Sequence, residues 1–266
     1  MPLLQLILVA LIQGITEFLP VSSSGHLILL PELTSYDDQG LVIDVAVHVG
    51  TLVAVILYFR RDVAIALSGV PPLLRGRIDG WPAFLALCLI VATVPIVIVG
   101  FILAATGLAE AMRSMAVIGW TMLIFGAVLY WADRRPETRV AESWTLKHAV
   151  IMGLWQVLAL IPGTSRSGIT ITGARQLGYD REGAARLAML MSIPTILASG
   201  VVAGAAAAPQ LDAGALREIL LAAGMACLAA LAALAFMMRL LKSVSFTPYV
   251  IYRVILGVIL LWIAYT

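Results

Sequence analysis

Gln13-Gly-Ile-Thr-Glu17-Phe-Leu-Pro20-Val-Ser22-Ser23-Ser24-Gly25-His26 interrupts an apolar region, 3–30, and cannot be the middle of an ordinary membrane helix. Pro20 removes a backbone donor, and the serine–glycine run favours caps and turns over helix interior. Each flanking half falls short of the about 20 residues needed to cross roughly 30 Å of hydrocarbon. A second apolar region, 146–173, is broken in the same way by Pro162-Gly163 and Ser165-Arg166-Ser167-Gly168. Non-helical backbone survives at membrane depth only where protein or a wet cavity satisfies its polar groups. Both regions therefore read as re-entrant helical hairpins, each dipping into the bilayer and returning to its own side.

Everything around the two breaks is membrane. Of 266 residues, 62% are hydrophobic and 12% charged, with a mean hydropathy of +1.03. An average soluble domain has about 45–50% apolar and about 25% charged residues. A soluble globule of this size could not hide so much apolar surface. The same arithmetic excludes a disordered chain, a disulfide framework, a coiled coil and a nucleic-acid-binding domain. Cys88 and Cys227 stand alone in apolar runs, match no metal-ligand spacing and read as small buried hydrophobes. The N-terminal run lacks a basic n-region and contains Gln13 and Glu17, so no cleavable signal is evident.

Six uninterrupted stretches are long and apolar enough to span: 41–59, 84–105, 115–132, 187–208, 215–238 and 249–265. With 31–40 placed outside, thirteen of the 17 Lys and Arg residues fall in inner segments and two in outer ones, a strong positive-inside bias. The other two are Arg166, in a break, and Arg253, at the inner end of the last span. Each half then consists of one broken hairpin and three spans. Three is odd, so the second half sits upside down relative to the first. The fold expected is an all-α polytopic membrane protein, an inverted-topology repeat of six spanning helices and two re-entrant helical hairpins. It forms a single integral-membrane domain over 1–266. Repeat one covers about 1–132 and repeat two about 146–266, joined by a basic inner loop. Pro20-Val-Ser-Ser23 superposes on Pro162-Gly-Thr-Ser165, each preceded by a glutamine, Gln13 or Gln156.

Ionisable side chains inside a membrane cost at least ~2.5–3.5 kcal/mol on insertion scales and call for a partner or a function. They concentrate at the breaks. Gln13 and Glu17, at i and i+4, share a helix face. They could tie the hairpin to a neighbour, or Glu17 could serve as a base or a ligand for a hard cation. Ser22, Ser23 and Ser24 could cap the following helix or join its amides in binding phosphate. His26 lies three residues past Ser23 and could orient it, protonate a leaving group or be phosphorylated. Arg166 presents a rigid fork suited to phosphate oxygens, or could pair internally with Glu17. His48 sits inside the first span, hydrogen-bonded to a neighbour or lining the cavity. His148 belongs to the solvated inner loop. Gly200 and Gly204 form a small-xxx-small stripe expected to pack a helix, and Arg60, Arg61, Arg134 and Arg135 are flanking anchors.

The residues 13–26 resemble the (E/Q)xxxE motif and serine–glycine–histidine stretch of the bacterial undecaprenyl-diphosphate phosphatases of the bacitracin-resistance type. Pro162-Gly-Thr-Ser-Arg166-Ser-Gly-Ile-Thr170 resembles that family's PGxSRSxxT motif, and the likeness extends to Ser245-Phe-Thr-Pro-Tyr-Val-Ile-Tyr-Arg253. The resemblance implies hydrolysis of undecaprenyl diphosphate to the monophosphate, which recycles the lipid carrier for cell-wall synthesis. It also implies a required divalent cation, Mg²⁺ or Ca²⁺, a homodimer, and residence in the bacterial inner membrane with the site opening to the periplasm. Glu17, Ser23, His26 and Arg166 match the family's catalytic set, with Glu17 also the metal ligand. Ser165 and Thr170 match phosphate-contacting positions, and Gln13, Ser22, Ser24 and Ser167 join them as expected substrate contacts. Gln13 stands where many members have a second glutamate. The competing reading is an inverted-repeat transporter or flippase of a lipid phosphate, in which Arg166 binds and releases its ligand unchanged.

Overall fold

The computed structural model describes residues 1–34, 36–108, 112–210 and 215–266. These residues form helices and no strand, apart from one isolated bridge between Arg139 and Tyr179. The first half opens with α1 (Leu3–Thr16), breaks, and resumes as the short α2 (Ser23–Leu27) and α3 (Leu29–Leu33). It continues through α4 (Gly40–Tyr58), α5 (Arg60–Leu74), α6 (Gly80–Thr106) and α7 (Met115–Asp133). The second half has α8 (Leu146–Val157), a break, and α9 (Arg166–Gln176). It ends with α10 (Arg181–Ala207), α11 (Ala215–Leu240) and α12 (Thr247–Tyr265). Six helices, α4, α6, α7, α10, α11 and α12, are long and apolar enough to cross a membrane. They match the six stretches expected from sequence.

Two differences have physical causes. Segment 60–83 carries a helix, α5, which sequence left as an inner loop. It starts on Arg60-Arg61 and buries little but Gly69, whose hydrogen side lies against the Pro82 carbonyl of α6, so its pattern is that of a surface helix rather than a span. Helix α10 begins six residues before the apolar stretch. Asp180 caps it by accepting the Gly183 N–H at 3.0 Å, and a helix does not stop where the hydrocarbon stops.

Packing crosses between the halves. Helix α1 lies along α11, and α8 lies along α6, so each hairpin rests on a span of the other repeat. Both contacts need glycine. A Cβ at Gly14 would sit 2.6 Å from the Ala226 carbonyl oxygen, and one at Gly153 would sit 2.6 Å from that of Ala92. Helices α7 and α12 cross at Gly119 and Gly257, where a Cβ on either would lie 3.1 Å from the other's carbonyl oxygen. Small residues at crossings allow the close backbone approach that membrane packing relies on. Gly200 and Gly204 correct the expectation made for them, since nothing lies within 4 Å of a Cβ built on either.

The internal match between the breaks shifts by one residue. Ser22 (φ 71°, ψ 106°) and Ser165 (φ 71°, ψ 114°) adopt the same left-handed conformation, each immediately before a helix. The structural equivalents are therefore Ser22 and Ser165, not Ser23 and Ser165. Proline misleads here because the repeated feature is the left-handed turn before the helix start. Both glutamines fall into place, nine residues before the turn, and Ser23 becomes the counterpart of Arg166. Non-glycine residues reach this region at a cost of roughly 1–2 kcal/mol. Here the hydroxyls help hold the turn: Ser22 Oγ meets Ser24 Oγ at 3.0 Å, and Ser165 Oγ meets Ser167 Oγ at 3.1 Å.

Candidate active site

The two breaks are stitched together. The Gly163 N–H donates to Ser24 Oγ at 3.2 Å, and Ser167 Oγ donates to the Leu19 carbonyl at 3.0 Å. Ser24 and Ser167 occupy equivalent positions, so each break reaches into the other with the same serine. Thr121 of α7 adds a third tie, donating to the Pro162 carbonyl at 2.6 Å.

Glu17, just past α1, is the hub. One carboxylate oxygen pairs with the Arg166 guanidinium. The other accepts from Gln13 Nε2 at 2.7 Å and from Ser23 Oγ at 3.4 Å. Arg166 also donates to the Ser192 carbonyl of α10 at 3.0 Å, which fixes the plane of its fork. The side chains of Glu17 and Arg166 are 8% and 15% exposed. Such a pair is weak evidence for stability, because desolvation offsets much of the attraction. A site that exchanges one partner for a substrate explains its presence better.

A cavity of about 260 Å³ opens beside this pair. Glu17, Ser22, Ser23, Ser24, His48, Ser165 and Arg166 form its polar wall, and Ile96, Leu160 and Ile196 are among its apolar lining. His48 comes from the N-terminal half of α4, and Ile96 and Ser199 come from the C-terminal halves of α6 and α10.

Hydrogen-bond chemistry fixes both histidine tautomers. A carbonyl only accepts, so His48 Nδ1, 2.7 Å from the Asp44 carbonyl, carries the hydrogen. His48 Nε2 is then an acceptor and receives the second N–H of the Gln13 amide at 3.1 Å. His26 follows the same rule. Its Nδ1 donates to the Ser22 carbonyl at 2.8 Å, leaving Nε2 to accept the Tyr252 hydroxyl at 2.6 Å.

The expected site residues thus divide. Gln13, Glu17, Ser22, Ser23, Ser24, Ser165 and Arg166 converge: the last six line one cavity, and Gln13 is buried behind it, bonded to the Glu17 carboxylate. His26 turns away from it and stacks on Tyr252, with ring centroids 5.5 Å apart. Thr170 is fully buried and donates to the carbonyls of Arg166 and Ser167 in its own helix. Ser167 is occupied by Leu19. The sequence leaves His48 open and places Arg253 only at the inner end of the last span. The structure turns Arg253 inward beneath both breaks, 1% exposed. The signal for it was an ionisable residue several positions inside an apolar run.

The donor set fits a hard divalent cation in a limited way. Gln13 Oε1 is buried with no hydrogen-bond partner and lies on the side chain that contacts the Glu17 carboxylate. Among the described residues no three His, Cys, Asp or Glu side chains cluster to hold a metal unaided. A cation here would take most of its ligands from phosphate and water.

The chain resembles known proteins along its whole length. It is 70% identical to the undecaprenyl-diphosphatase of Dinoroseobacter shibae and 68% identical to that of Roseobacter denitrificans, covering all of each chain. It is 44% identical to the undecaprenyl-diphosphatase of Hahella chejuensis over 98% of both. The family model described as bacitracin resistance protein BacA matches residues 6–259. With paired hairpins and an acid–arginine site in place, the chain belongs to the BacA family.

Proposed function

We propose that the protein hydrolyses undecaprenyl diphosphate to undecaprenyl phosphate and inorganic phosphate, returning the lipid carrier to cell-wall synthesis and conferring bacitracin resistance. The observation that carries this reading is a serine hydroxyl 3.4 Å from a carboxylate that also pairs with a cavity-lining arginine. A carrier needs the arginine but has no use for a nucleophile and base beside it.

The chemistry follows from charge. A diphosphate needs its negative charge spread and its leaving oxygen neutralised, mostly by positioned electrostatics. Arg166 exchanges Glu17 for the terminal phosphate. The freed carboxylate takes the Ser23 proton as Ser23 Oγ forms a bond to the terminal phosphorus. The anhydride P–O bond breaks, and undecaprenyl phosphate departs with that oxygen, which takes the proton from Glu17 and returns it to a carboxylate. Water then attacks the phosphoseryl phosphorus; the Glu17 carboxylate takes its proton and passes it to Ser23 Oγ as the Ser23 O–P bond breaks, releasing inorganic phosphate and restoring the hydroxyl. Ser22, Ser24 and Ser165 line the phosphate seat. Ser167 and Thr170 support it from behind by fixing the break and the first turn of α9. His26 orients Ser23 through the Ser22 carbonyl. Gln13 and Glu17 would hold Mg²⁺ or Ca²⁺, which supplies neutralisation of diphosphate charge.

The cavity residues lie in the halves of α4, α6 and α10 away from the ends where the basic segments gather, and basic segments favour the cytoplasmic side. Both support a bacterial inner-membrane enzyme open to the periplasm. The homodimer that the family resemblance implies belongs to the same reading, with the open Gly200–Gly204 stripe of α10 in support. Phosphate release from undecaprenyl diphosphate by purified protein in detergent tests the function. Loss with chelator and recovery with Mg²⁺ or Ca²⁺ is expected, and a protein that binds the diphosphate without releasing phosphate would be the carrier instead.

A further inference from the structure

Arg253 is a fully buried guanidinium on α12 whose partners are all main-chain carbonyls. Its Nε donates to Met122 at 3.2 Å. Nη1 donates to Pro20 at 3.4 Å and Thr164 at 3.0 Å. Nη2 donates to Thr121 at 3.4 Å and Gly163 at 3.2 Å. A guanidinium has five N–H groups, and each has an acceptor. Three of those acceptors, Pro20, Gly163 and Thr164, belong to the two breaks. The other two lie on α7, the helix that also holds Pro162 through Thr121.

We propose that Arg253 is a positioning residue for hydrolysis, a five-donor clamp that holds both breaks in one register from behind the cavity. This rests on the phosphatase reading above. A trans peptide carries its N–H opposite its C=O. Drawing the Thr164 carbonyl toward Arg253 turns the Ser165 amide the other way, at a residue that lines the cavity. An anion entering the seat then meets a donor rather than a carbonyl. The same clamp sets the approach of Ser23 to Arg166, because Pro20 leads into the turn before Ser23 and Gly163-Thr164 leads into the turn before Arg166. The fixed positive charge beneath the breaks also favours a phosphate above them. Lysine keeps that charge but has three donors on one atom and cannot reach five carbonyls.

The test compares Arg253→Lys with Arg175→Lys, measuring phosphate release from undecaprenyl diphosphate and thermal unfolding in the same detergent. Arg175 is an apt control, 1% exposed and bonded to the carbonyls of Tyr179, Asp133 and Arg135 at the inner end of α9, away from the cavity. Arg253→Lys is expected to lower kcat by about 100-fold, the scale of a misplacement of about 1 Å, while KM stays within a few-fold. Arg253→Gln is expected to lower kcat further and to raise KM through loss of charge. Arg175→Lys is expected to lower the unfolding temperature and leave kcat per folded molecule unchanged. Wild-type kcat in folded Arg253→Lys would overturn the proposal, as would a loss that only tracks the folded fraction. Failure of both Arg253 variants to yield folded protein would also overturn it, by making the residue a folding determinant.

Discussion

The two helix breaks share one backbone and divide the chemistry between them. Ser22 and Ser165 take the same left-handed turn, and Ser24 and Ser167 make matching ties across the gap. At the position between, the first break has Ser23 and the second has Arg166. Gln13 touches the acid and His48, whereas its counterpart Gln156 is tethered to the Ala92 carbonyl and Thr195 in a buried contact. Glu17 corresponds to Leu160, and His26 to Ile169. In the proposed reaction one hairpin brings nucleophile and base, and the other brings the arginine that neutralises phosphate. The duplicated geometry sets a scaffold, and single substitutions on it assign the roles.

The comparison can be broken most severely at Arg166. Arg166→Ala should lower kcat/KM by about 10³–10⁵-fold, the range for a transition-state arginine in phosphoryl transfer, as read by phosphate release. Glu17→Gln should lower turnover by about 10²–10⁴-fold, as for a lost general base. A phosphoenzyme trapped by rapid acid quench should carry its label on Ser23 and vanish in Ser23→Ala. Label on His26 would sink the serine assignment.

The glutamines sharpen the contrast. Gln13→Ala should reduce kcat by about tenfold, the equivalent of one hydrogen bond to a charged group at about 1.4 kcal/mol. Gln156→Ala should cost about 1–3 kcal/mol of stability, by leaving buried polar groups unpaired, with kcat per folded molecule intact. Unfolding temperature and turnover measured together separate the two. The smallest effect belongs to the turns. Ser22→Gly and Ser165→Gly exchange backbone strain for a lost hydroxyl bond, and each should shift stability by no more than about 1 kcal/mol.

Much of this was legible beforehand, for definite reasons. The six spans and two hairpins follow from apolar length and from Pro20 and Pro162, because hydrocarbon thickness and backbone satisfaction leave few alternatives. Helix α5 was not, since an interfacial helix starting on two arginines has no such length rule. The repeat was visible but misaligned, because proline is conspicuous in sequence and a left-handed serine is not. Glu17 and Arg166 stood out as costly charges, and their pairing followed from the inverted repeat. The ties to His48, Ser192 and Arg253 depend on which faces of α4, α10 and α12 turn inward, a matter of packing between segments far apart in the chain. Thr170 shows the converse: a residue within the matching motif spends its hydroxyl on its own helix.

The basic inner segment joining α7 to α8 has a consequence beyond connection. Two identical halves assembled from separate chains would place the same residue at Ser23 and at Arg166, and two identical charges would then face each other, or two serines with no cation. Symmetric partners cannot hold an acid on one side and its arginine on the other without also repeating the arrangement in reverse. A single polypeptide escapes that constraint. The stretch 134–145 is thus what lets a symmetrical scaffold hold one polarised pair, with Glu17 from one half facing Arg166 from the other.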